Sequence, residues 1–344
     1  MTVSASKRSV WSRCRRGALA VLAFAGYLAL AAVAVAVAGG SVTSANGYDV
    51  MQSVAALGLV SLGLGLTVLI AEFDLSVAAM TGLGGMLAVI SGESSPLLGV
   101  LIAAGAGLAV GAAQGCIIAW GRFNSMAVTL GTLLLLSGAT QILSNSQSLD
   151  YGRLDVAVRL DNPVLVIFSL RSLIVVAIFI GVGLVLAYSR LGPQLRATGG
   201  HREGARVAGL RVDHVVIGVF ATSGLLCALS GALLSYSLAS AAPDIGTTPL
   251  LFAATAVLLG GVKLSGGEGS ALGILLGVLA LAVLQEVLAI LLAPDFAVDL
   301  ITGGSLLAVV IATSASRLRD RHRNRAAHDP GVVASSLPAA TKRA

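Results

Sequence analysis

Long apolar runs separated by short polar stretches set the pattern of this chain. A basic leader, residues 1–17, carries Lys7, Arg8, Arg13, Arg15 and Arg16 and gives way to an apolar run over 18–38. A spanning helix needs about 20 apolar residues and a cleavable signal only about 7 to 15, so this run reads as a retained first helix. Runs of near-spanning length or more follow at 50–71, 96–120, 126–143, 172–188, 215–238 and 270–292, with shorter ones at 77–90, 251–262 and 296–313. The pattern predicts an all-α polytopic membrane protein with about ten transmembrane segments in two pseudo-repeated halves. The membrane domain covers 18–313, both termini lie on the inner side, and a basic tail over 314–344 has the composition of a disordered segment.

The connections carry their own expectations. Residues 41–49 and 144–162 read as outer loops, the second holding Asp150, Asp155 and Asp161. Residues 164–170 are too short to span and precede Arg171, which places them at the outer interface. The string Glu72-Phe73-Asp74-Leu75-Ser76 separates two apolar runs with so few residues that the helix is expected to break near membrane depth. Run 251–262 is short for a bilayer, which predicts a broken or tilted segment among neighbours.

Composition agrees with a membrane protein. The 344 residues are 56% hydrophobic and 11% charged, against about 25% charged in soluble domains. The formal charge of +6 raises nucleic acid as a partner, but the basic residues flank apolar runs, where topology and anionic lipid account for them. Of 22 lysines and arginines, only Arg153, Arg159 and Arg171 fall on the outer side of this topology. The others occupy the leader, Arg122, the central segment, Lys263 and the tail, and this bias fixes the inner side. Cys14, Cys116 and Cys227 are scattered, and His201, His214, His322 and His328 lie in polar segments, so neither a disulfide framework nor a metal-ligand spacing is present.

One polar interruption stands out, Ser189 to Val212, with Arg190, Arg196, Arg202, Arg206 and Arg211 against only one acid, Glu203. Its centre, 201–210, is expected to form a short helix with Ala205, Val207, Ala208 and Leu210 as apolar positions, docking a separate protein on the inner side. Phosphate loops, zinc-protease and nucleophile-elbow signatures are absent. The string Leu264-Ser265-Gly266-Gly267-Glu268 looks like a signature of nucleotide-binding ATPases, but without a phosphate loop it reads as a turn between helices.

Glu72, Asp74, Ser76, Gln285 and Glu286 are the candidate pathway residues, since polar groups at membrane depth are costly and either face the bundle interior or line a wet path. A cap on the following helix is the competing role for Asp74, and a helix-to-helix hydrogen bond for Gln285 and Glu286. An ion-coupled transporter using Glu72, Asp74 and Glu286 is the alternative reading from another class.

Several stretches together resemble the membrane permease subunits of bacterial ribose-type sugar ABC importers. They are Asp74-Leu75-Ser76-Val77, Val128-Thr129-Leu130-Gly131-Thr132, Arg190-Leu191-Gly192, Ala197-Thr198-Gly199-Gly200, Glu203 to Leu210, Leu259-Gly260-Gly261, and Leu264-Ser265-Gly266-Gly267 with Gly269-Ser270. That resemblance, over roughly 50–312, implies a pathway formed by two permease chains, identical or not, in the bacterial plasma membrane. A cytoplasmic ATPase hydrolyses ATP, an extracytoplasmic sugar-binding protein delivers cargo, and the permease itself binds no cofactor. It also implies that Gly199, Gly200, His201, Glu203, Ala205, Arg206, Gly209 and Leu210 belong to a helix seated on the ATPase. Ala71, Glu72 and Phe73 stand where relatives often carry two glycines and an isoleucine, and Glu268 where they often carry arginine. Gln285 and Glu286 stand where relatives often carry asparagines, which adds negative charge and leaves room for an amino-bearing or otherwise modified sugar.

Overall fold

The computed structural model describes residues 43–294, 296–308 and 311; the leader, the run 18–38 and the tail lie outside the described residues. Twelve helices are labelled here in chain order: α1 (Ser44–Leu69), α2 (Val77–Ser91), α3 (Pro96–Gly121), α4 (Ser125–Ser144), α5 (Leu154–Asp161), α6 (Leu170–Tyr188), α7 (Leu191–Gly200), α8 (Arg202–Val207), α9 (Val212–Ser237), α10 (Thr247–Leu259), α11 (Ala271–Ile290) and α12 (Phe296–Ala308). Among the described residues, α1, α3, α4, α6, α9 and α11 are long and apolar enough to cross a membrane. Helices α2, α10 and α12 are shorter, as their runs foretold.

Helix α1 is the centre of the bundle. In its most apolar stretch 83% of residues are buried, against 22% for α3, 17% for α4 and 28% for α6. Its neighbours are α9, α11, α10 and α6, while α9 in turn packs on α3 and α2. A helix apolar on every side belongs in such a position. The outer helices present Leu97, Leu101, Leu134, Leu135, Ile142 and Leu184 outward, a surface suited to lipid tails.

Close helix crossings rest on glycine. A Cβ on Gly224 of α9 would lie 2.2 Å from the carbonyl oxygen of Gly107 on α3, and one on Gly107 would lie 2.4 Å from that of Gly224. Neither position tolerates a side chain without separating the helices. Backbones brought this near gain dispersion contacts that lipid cannot supply.

Three connections differ from their sequence-based expectation. Helix α1 starts at Ser44, inside the stretch read as an outer loop over 41–49. Asn46 Oδ1 accepts hydrogen bonds from the Thr43 backbone N–H and hydroxyl, each at 2.8 Å, and the polar residues of the first turns find partners on other elements. The polar stretch 144–162 contains α5 and a strand, β1 (Leu149–Asp150). Residues 163–169 form a small hairpin of β2 (Pro163–Leu165) and β3 (Phe168–Ser169). Strand β1 pairs antiparallel with β4 (Ser240–Ala241), Leu149 opposite Ala241. These strands are additions to an otherwise helical fold.

Candidate translocation and coupling sites

The chain leaves α1 through Ile70 and Ala71, the latter in the left-handed conformation at φ 63°. Glu72 N–H donates back to Thr67 O at 3.0 Å, which closes the helix end and sends the chain into the bundle again. Asp74, 2% exposed, then sits between α2, α3 and α9. Its Oδ1 accepts from the Ser76 backbone N–H at 2.9 Å and the Ser76 hydroxyl at 2.6 Å, and its Oδ2 accepts from Ser223 Oγ of α9 at 3.3 Å. The carboxylate thus organises the first turn of α2 while also bonding another helix.

Gln114 of α3 completes the cluster, with Oε1 3.1 Å from Ser76 Oγ and Nε2 buried without a partner. One hydroxyl proton serves the nearer carboxylate oxygen. Turning the Gln114 amide over lets its NH2 donate to Ser76 Oγ and ends the isolation of Nε2. Thr129 of α4, in the Val128–Thr132 stretch, donates to Phe73 O at 3.3 Å. Sequence reasoning did not single out Gln114 or Ser223. A lone amide in the apolar run 96–120 was the available signal for the first, whereas serines are too common in these helices to mark the second.

Glu286 lies elsewhere. Near the far end of α11, its Oε1 accepts from Asn46 Nδ2 of α1 at 2.8 Å, a helix-to-helix bond. Gln285 beside it is partly buried. Glu72 turns in the opposite direction and pairs with Arg202 at 2.6 Å. The five pathway candidates therefore occupy three places: Asp74 with Ser76, Glu72 with Arg202, and Gln285 with Glu286.

The arginine-rich segment folds into two helices, α7 and α8, with His201 between them; the helix expected over 201–210 covers only Arg202–Val207. His201 Nδ1 accepts from Gly204 N–H at 2.8 Å and caps α8. Past the helix, Gly209 takes φ 84° and Leu210 N–H donates to Ala205 O. Arg206 bonds Asp213 of α9 at 2.8 Å and lies 3.7 Å from Glu203. The face of α8 turned outward holds Glu203, with its side chain 77% exposed, and Val207, 90% exposed. Ala205 and Gly199 point inward instead. A Cβ on Gly199 would lie 2.0 Å from Leu69 O.

The glycine turn after α10 meets the same place. Gly267 N–H donates to Leu69 O at 2.8 Å, and Lys263 pairs with Glu268 at 2.8 Å to brace the turn. Gly266 and Gly267 both have positive φ, 73° and 76°, so this turn needs glycine for its backbone. The end of α1, the end of α7 and the glycine turn thus converge on Leu69. A separate cleft of about 870 Å3 between α6, α7 and α9 is lined mainly by aliphatic residues, with Gln194, Arg211, His214 and Thr222 as its polar members. Asp74 does not line it. Among the described residues, no group of three or more His, Cys, Asp or Glu is placed to hold a metal ion.

Among the described residues, six helices long and apolar enough to cross a membrane pack around α1, which makes this a multi-pass helical bundle of the membrane class. The family model described as "Branched-chain amino acid transport system / permease component" matches residues 46–310. The chain belongs to that family. It is 32% identical to the ribose import permease protein RbsC of Escherichia coli (strain K12), over 70% of this chain and 77% of the relative. It is 31% identical to the L-arabinose ABC transporter permease protein AraH of Azospirillum brasilense, over 78% and 80%. It is 30% identical to the autoinducer 2 import system permease protein LsrC of Photorhabdus laumondii, over 76% and 79%. No solved structure matches. These relatives support the ribose-type ABC permease reading over ion-coupled transport.

Proposed function

We propose that this chain is the permease subunit of an ABC importer in the bacterial inner membrane, moving a sugar or sugar-like solute by alternating access. The observation that carries the reading is family membership joined to the arrangement at Leu69, where the stretches resembling sugar permeases meet. In this reading the arginine-rich end is cytoplasmic, as are both termini, and about ten segments cross the bilayer in two pseudo-repeated halves. A partner ATPase docks on α8, chiefly through Glu203 and Val207, with Gly200, His201, Gly209 and Leu210 beside them. A binding protein delivers the solute on the other side, and a second permease chain completes the pathway.

Asp74 and Ser76, with Gln114 and Ser223, form the polar joint between α2, α3 and α9 that changes partners during the cycle. The ATPase does work only by favouring one arrangement over another, because equal binding to both shifts nothing. Gln285 and Glu286 contribute to solute choice on the outer side, and Glu286 favours an amino-bearing or otherwise modified sugar. Proteoliposomes test the assignment. With the ATPase and binding protein present, uptake from a panel of labelled pentoses, hexoses and amino sugars is expected to require ATP. Uptake by the purified single chain on a proton gradient, without ATP or a partner, would overturn it.

A further inference from the structure

We infer that the Glu72–Arg202 ion pair is the link through which α8 positions the Asp74 loop, making both residues positioning residues for energy coupling. The inference rests on the permease reading above and adds the route by which a docked partner reaches the membrane interior.

Glu72 Oε1 lies 2.6 Å from Arg202 Nη2, and the Glu72 side chain is 11% exposed while that of Arg202 is 38% exposed. The pair bridges the first residue of α8 and the loop between α1 and α2. Charge-assisted bonds of this length are the stronger kind. Helix α8 has only six residues, so its place depends on what its side chains grip. Among the described residues, two ion pairs tie it to the rest of the bundle: Arg206 to Asp213 at the start of α9, and Arg202 to Glu72 in the loop between α1 and α2.

Beyond Glu72 the path is short. Phe73 O accepts from Thr129 of α4, and Asp74 holds Ser76 and Ser223. One residue, Phe73, separates Glu72 from Asp74, a reach of about 7 Å at most between their Cα atoms. The near side is fixed: Leu69 O accepts from Gly267 N–H, and Ala71 holds its left-handed turn against Gly266. With the end of α1 anchored, a displacement of Arg202 goes into the segment that can yield, Glu72 to Ser76. Rearranging that segment alters the bonds Asp74 makes to α2 and α9.

Uptake and ATP hydrolysis are measured together in proteoliposomes holding the full chain, its ATPase and its binding protein, with the sugar panel as probe. Glu72→Gln keeps the length and polarity of the side chain and removes its charge, and Arg202→Gln keeps polarity while removing the guanidinium. Each is expected to lower solute moved per ATP about fivefold to tenfold, the range of coupling between contacting charged residues, with ATPase association unchanged. The exchanged pair Glu72→Arg with Arg202→Glu is expected to recover most of that loss. A role confined to folding would lower the yield of assembled complex and leave the ratio unmoved. Wild-type ratios in both single variants, or no recovery in the exchanged pair, would overturn the link while leaving the permease assignment standing. Absence of ATP-driven uptake in the wild-type system would remove both.

Discussion

At the end of the bundle that holds Arg171, charge is buried and shared. The Arg171 side chain, 6% exposed, lies 3.1 Å from Asp161 and donates to Gln52 Oε1 at 2.6 Å; Tyr48 donates to the Asp161 carbonyl, and Ser237 to its carboxylate. Four helices, α1, α5, α6 and α9, are tied by one group of side chains. At the arginine-rich end the guanidinium groups stay near solvent, and the joints are a glycine contact, a turn N–H on Leu69 O and single ion pairs. The first end resembles a clasp and the second a bearing. A permease needs both, because a partner can move one end usefully only if the other holds the helices in register.

Four substitutions test this contrast, in falling order of effect on stability. Arg171→Met removes the cation from Asp161, whose part-exposed carboxylate keeps Ser237 as a donor, and takes the charged donor from Gln52 Oε1, for a cost of about 2 to 3 kcal/mol. A marked fall in the thermal unfolding midpoint in detergent is the expected sign. Gly224→Val forces α9 from α3 where their backbones meet, with an overpacking cost of about 2 kcal/mol in the same measurement. Tyr236→Phe removes the single hydroxyl proton that Ala88 O and Pro96 O, each 3.0 Å away, share, for a cost of about 1 kcal/mol. Val207→Ser at the other end is expected to change stability by less than about 0.5 kcal/mol, as exposed positions do, while co-purification of the ATPase falls. Equal destabilisation by Arg171→Met and Val207→Ser would erase the distinction between the ends.

Much of this architecture is visible in the chain itself. The runs at 96–120, 126–143, 172–188, 215–238 and 270–292 became helices with ends displaced by at most three residues, because twenty apolar residues in lipid have few alternatives to a helix. What hydropathy missed is polar structure that forms only in the folded bundle. Asn46 and Tyr48 look like loop residues until Glu286 and Asp161 arrive from far along the chain, and Gln52, inside the run at 50–71, gives no sign of its bond to Arg171. Asp74 was legible as a special carboxylate, and its helix-starting role follows from Ser76 two residues on. Its bond to Ser223, and the contact of Ser76 with Gln114, depend on tertiary packing, which no local spacing encodes. Glu72 was legible only as a charge out of place, since its partner lies 130 residues later.

The central position of α1 has a consequence for how the protein is made. Three of its four neighbours, α9, α10 and α11, are synthesised some 150 to 200 residues after it, so α1 enters the bilayer long before the groove that will enclose it exists. Pairings between distant parts of a chain form late because the intervening loop must first be closed. The even apolar surface of α1 lets it wait in lipid without penalty. A ribosome that stops before Val212 would leave an inserted helix without three of its four neighbours, a species for quality-control proteases to recognise.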